Sequence, residues 1–199
     1  MSEYLVVSDV SKTLRWVLWD AMEQDPTING IYPIIHTDQD ISFEPPFQLV
    51  KEAGPDHNAL SLYLFRVAEN GDCKNRPFAP ETSGSLRCPP LALTLNYLIT
   101  PLTNSAENDQ KLLGKTMQVL YDHAIISDPD LQGVLGGSAA ELRLTLNPMA
   151  LDDLHKLWSA FLRPLRLSVA YEVKVVFIDS QRLTGADLVR RKRLEFTQM

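Results

Sequence analysis

The chain has 199 residues, of which 45% are hydrophobic and 22% charged, and a formal net charge of −6. That composition is globular and not disordered, and the length suits one domain or one domain plus a tail. No run reaches the roughly 18 apolar residues of a membrane span, Met1-Ser2-Glu3-Tyr4 lacks the pattern of a signal peptide, and the acidic balance argues against general nucleic-acid binding, so synthesis in the cytoplasm is expected.

Taken in chain order, the first element is a helix. Ser8 and Asp9 suit its N-cap, and Val10, Leu14, Val17, Leu18, Ala21 and Met22 recur at helical spacing up to Asp25-Pro26. Residues 30–54 read as irregular, with short extended pieces around Ile34, Ile35, Ile41 and Phe43, and Pro45-Pro46 confines any strand there to an edge. Leu60–Val67 alternates as a strand with bulk on both faces, which makes it central. From Cys73 to Pro90 no period appears, and Pro77, Pro80, Pro89 and Pro90 make this a long loop.

Leu91–Thr100 alternates again, and with only that loop between them it pairs with Leu60–Val67. A second helix follows over about Ala106–Ala124, capped by Asn104 or Ser105. A glycine-rich connection, Gln132–Ser138, precedes a strand at Glu141–Asn147 and a third helix at roughly Ala150–Phe161. The last strand, Leu167–Ile178, is the strongest signal. Its twelve residues exceed the usual five or six, so it can extend past its own sheet, and Glu172 and Lys174 give one face partial solvent access. The order predicts an α/β (α+β) domain over residues 1–179, with about three helices on a single mixed sheet, and a tail over 180–199.

The tail differs in charge. From Gln181 to Met199 five basic residues (Arg182, Arg190, Arg191, Lys192, Arg193) stand against two acids, while the rest of the chain has fourteen basic against twenty-three acidic residues. A basic tail on an acidic body suggests contact with something acidic, such as a neighbouring copy.

Catalytic chemistry has little support. His36, His57, His123 and His155 read as solvated or capping, and no HExxH, G-x-S-x-G or Walker spacing occurs. Asp152-Asp153 are adjacent on a first helical turn, where the helix dipole accounts for them. Cys73 and Cys88 fit no zinc motif and read as free thiols. No metal or other cofactor is expected.

Five blocks carry a family resemblance in order: Leu60–Val67 with Asn75-Arg76-Pro77; Pro89–Pro101; Lys111–Gln118 with Tyr121-Asp122-His123; Leu157-Trp158; and Leu167–Val173. Together they resemble the N-terminal domain of the cap proteins of extracellular contractile injection systems, of the antifeeding-prophage and virulence-cassette type, over about Val7 to Asp179. The resemblance implies a phage tail-terminator-like fold. It implies a non-enzymatic subunit forming a ring, usually of six copies, on the end of a tube and sheath, where it stops polymerisation. The implied partners are other copies of the chain and the terminal tube and sheath proteins, with no nucleic acid and no membrane. The implied location is an assembled particle that can be released from the cell. Arg182 and Arg190–Arg193 are the candidate partner-contact residues. The alternatives are a tail-completion or head–tail joining protein of a phage, a monomeric adaptor, and an enzyme of unknown type.

Overall fold

A computed structural model of the chain describes residues 4–30, 33–52, 58–74, 76–82 and 85–185. Helix α1, Val6–Glu23, buries Val6, Val10, Leu14, Val17, Leu18 and Met22, the stripe its spacing predicts. It starts earlier than Ser8 and Asp9 suggest. Leu5 stands at the N-cap without a side-chain cap, and Asp9 turns inward instead.

The main sheet has six strands: β1 (Ile41–Ser42), β2 (Ala59–Glu69), β5 (Leu91–Leu102), β6 (Ile125–Ile126), β7 (Leu142–Asn147) and β8 (Val169–Ile178). Their order is β1-β2-β5-β8-β7-β6. Only β1 and β2 run parallel. The mixed α/β fold expected from the sequence is therefore present. So is the expected pairing of the two strands that flank the 73–90 connection, with Leu60 opposite Pro101 and Glu69 opposite Leu93. Pro101 sits near the end of a central strand without disrupting it, because the ladder with β8 stops at Ile99. The long strand β8 is interior, bonded to β5 along its length and to β7 from Ala170 to Lys174.

Alternation sends the strand residues to two faces. One face carries Leu60, Leu62, Leu95, Tyr97, Ile99, Tyr171 and Val173 into a core shared with α1 and with α3 (Ala106–Asp122). Ser11 of α1 and the Tyr97 hydroxyl are hydrogen-bonded across it at 2.8 Å. On the opposite face Tyr63 packs edge-on against Phe161, 5.9 Å between ring centroids. Phe161 ends α4 (Leu151–Ala160) and also meets Phe47 of α2 (Pro46–Glu52) at 5.3 Å. Trp158, the buried residue of α4, donates to Ser168 at 3.3 Å. Leu98 and Ala170 are buried on this face beside Tyr63, while farther along it Lys174 pairs with Glu172 at 3.5 Å, matching the solvent access expected there.

Two regions differ from the sequence reading. Pro45-Pro46 opens α2 rather than limiting a strand, since proline at the first helical position loses no intrahelical bond. The 73–90 connection is not all loop. It forms β3 (Ala79–Thr82) and β4 (Ser85–Arg87), and β9 (Leu183–Gly185) completes a second sheet in the order β3-β4-β9. Residues 183–185, read as tail, thus pair with Ser85–Arg87.

Candidate interaction surfaces

The titratable residues named from the sequence do not converge. His36 and His155 are exposed, and His123 sits at the C-cap of α3 with its Nδ1 2.9 Å from the Val119 carbonyl. His57 lies outside the described residues. Asp152 and Asp153 occupy the first turn of α4, and Asp153 pairs with Lys156 at 3.0 Å. Among the described residues no group of three or more His, Cys, Asp or Glu side chains is placed to hold a metal. Cys73 and Cys88 are free and half-buried.

Of the basic residues assigned to partner contact, Arg182 is exposed. Its backbone carbonyl accepts from the Cys88 N–H at 3.1 Å, which starts the β4–β9 pairing. Arg190, Arg191, Lys192 and Arg193 lie outside the described residues. Near β9, the end of β8 and the turn after β2 enclose a cleft of about 410 Å³ between Cys73, Pro90 and Asp179. Arg76 lies over the Phe177 ring there, 4.5 Å from its centroid. The connection is thereby held against the sheet.

The glycine-rich connection is also held. Asp9, 3% exposed, accepts from Lys12 at 2.7 Å and from the Val134 N–H at 2.9 Å. Burial pushes its carboxyl up. The Lys12 ammonium and the Val134 N–H more than offset that and hold it below the ordinary carboxylate value. Thr13 accepts from the Gln132 N–H at 3.0 Å. The glycine-rich segment is therefore tightly turned and fixed to α1, and the signal for it is a lone acid on the helix's buried side.

Large apolar side chains stand out at two further places. Around the α4–β8 connection Leu162 is 90% exposed and has φ of 55°, a left-handed conformation that costs a leucine about 1–2 kcal/mol. Beside it Pro46, Phe47, Trp158 and Pro164 line a mostly apolar cleft of about 210 Å³, with Arg163 and Arg166 at its rim. Arg166 reaches Asp109 at 3.4 Å. At the end of α3, Tyr121 is 81% and Ile125 57% exposed. Sequence reasoning missed both places, because each reads locally as an ordinary helix end.

A family model described as the Pvc16 N-terminal domain matches residues 9–192. No curated protein matches the chain. Among solved structures, all of this chain aligns with 65% of a chain from a cryo-EM structure of an extracellular contractile injection system, described as the PVC sheath/tube terminator in the extended state. The identity there is 18% and the TM-score 0.65. All of it also aligns with 62% of a chain from the cryo-EM structure of the anti-feeding prophage cap, described as the AFP tube terminating cap, at 17% identity and a TM-score of 0.58. The chain spans less than two thirds of the length of either, and at these identities the likeness is one of fold.

Proposed function

The chain belongs to the Pvc16 N-terminal domain family, and from that premise we propose that it is a non-catalytic structural subunit, the cap or terminator that closes the tube and sheath of a phage-tail-like contractile injection particle. The observation that carries this reading is the fold. The whole chain follows the course of two proteins described as a sheath/tube terminator and a tube terminating cap. A subunit with that role needs surfaces in place of a reaction centre, and the features of the described surface are apolar projections, clefts and charge.

In this reading residues 1–179 form the cap domain, and six copies close a ring on the last layer of tube and sheath. A ring is built from head-to-tail contacts, so each copy presents two different patches. The function requires no cofactor. The subunit is made in the cytoplasm and leaves it only as part of the particle. The tail over 180–199, with Arg182 and Arg190–Arg193, contacts an adjacent copy or the sheath. Its positive charge beside an acidic body supports this. A chain ending at Asp179 then fails to cap, and normal capping by it removes the tail from the mechanism.

The direct test is negative-stain microscopy of particles from cells lacking the gene. Overlong, variable or unstable sheath–tube assemblies, restored by the gene, are expected. Particles of normal length and stability overturn the cap assignment.

A further inference from the structure

The ring requires two unlike patches, and the described surface holds a pair that match. One is a knob. Tyr121 projects from the last turn of α3, 81% exposed. Asp122 beside it is exposed and makes no ion pair among the described residues. The other is the cleft between α2 and α4, about 210 Å³ and mostly apolar. An apolar cavity of about 150 Å³ accepts benzene, so this one has room for a phenol ring. Of the two arginines at its rim, Arg166 is engaged with Asp109. Arg163 is exposed and has no acidic partner among the described residues.

We infer that Tyr121 of one copy seats in the α2–α4 cleft of a second copy, with Asp122 meeting Arg163. This rests on the cap reading for its setting. Two observations favour a second copy as occupant. The charges are complementary, an unpaired carboxylate beside the ring and an unpaired guanidinium beside the cleft. An arginine at the rim can lie against the tyrosine face as well as pair with the acid. Finally, α3 lies on the sheet face that carries α1, whereas the cleft lies on the face that carries α2 and α4. Tyr121 also lies twelve residues, about 18 Å of helix, from Asp109, which touches the cleft's Arg166, so the knob does not reach the cleft of its own copy and the contact runs head to tail. Leu162, held out in its left-handed conformation beside the cleft, adds apolar surface to the same joint.

Native mass spectrometry of the full chain at its highest soluble concentration tests this. The wild type is expected to form oligomers, and Tyr121→Ala and Arg163→Glu are each expected to be monomers. An equimolar mixture of the two variants gives dimers and nothing larger, because one partner keeps only its cleft and the other only its knob. The double variant Asp122→Arg/Arg163→Glu regains oligomers. Circular dichroism unchanged from wild type confirms that the variants fold. A monomeric wild type, single variants that oligomerise normally, or a mixture that stays monomeric overturns the joint. Normal oligomers from Arg163→Glu that fail to cap particles assign the cleft to a tube or sheath subunit, which also overturns it. The cap reading fails separately: gene deletion that leaves particles unchanged while the variants behave as stated removes the cap and keeps the joint.

Discussion

The Asp9 carboxylate, buried on α1, holds a glycine-rich connection that has few side chains to anchor itself. Gly133 lies directly against it with φ of 64°, where a Cβ would collide with both carboxylate oxygens. Gly133→Ala combines that collision with a disfavoured conformation and is expected to cost about 2 kcal/mol, read as a lower urea midpoint. Asp9 also couples stability to pH, as does Asp25, which Lys115 at 2.8 Å and the Thr27 N–H hold below its ordinary value. Both folded values lie below the unfolded reference of 3.8. The stabilisation is therefore present above that reference and is lost as pH falls through it toward the folded values. Urea midpoints that are level near neutrality should drop below about pH 4. Asp25→Asn should show a smaller drop, and an equal drop in that variant would contradict the assignment.

At the scale of elements, α4 shows how little can hold a helix to a sheet. Trp158 is its one buried residue among those described, and it alone joins packing to a hydrogen bond with Ser168. Trp158→Ala is expected to cost about 3–5 kcal/mol by thermal denaturation, with near-ultraviolet dichroism losing the aromatic cluster. Elements with their own period were legible in the sequence. The alternation of Leu93, Leu95, Tyr97 and Ile99 and the helical stripe of α1 each report a buried face directly. The small sheet was not legible, because Ser85–Arg87 is completed by Leu183–Gly185 nearly a hundred residues away and no local pattern records that partner. Helix α2 was hidden by Pro45-Pro46, whose meaning depends on whether a helix follows. The cleft was invisible for the same reason as the small sheet, since Phe47 and Trp158 come to line it together only once the sheet has assembled, whereas the knob reads locally as an ordinary helix end.

For the molecule as a whole, the six-stranded sheet closes without the tail. A chain ending at Asp179 keeps every strand of that sheet and both helix layers, but strips β9 from β4. The remaining two-stranded hairpin is marginal by itself. Such a chain is expected to retain its far-ultraviolet dichroism while cleavage by protease within 73–90 quickens. That pairing of results separates loss of docking from loss of fold when its capping is measured. The exposure of Leu162 and Tyr121 belongs to this scale too, since neither helps its own copy fold.

The edges of the two sheets have a further consequence. The main sheet ends on β1 and β6, two residues each, and the small sheet on β3 and β9, four and three residues. A strand so short offers an incoming backbone too few hydrogen bonds to template another chain. In the proposed cap role the molecule has to be inert as a seed, since an uncapped pool that grew by itself would consume the stoppers before any filament was ready for them. The short outer strands serve that end only in part: β1 pairs with Leu60 and Ser61 alone, so Leu62–Glu69 of β2 has no strand partner on that side among the described residues and is the edge at which unwanted growth would begin.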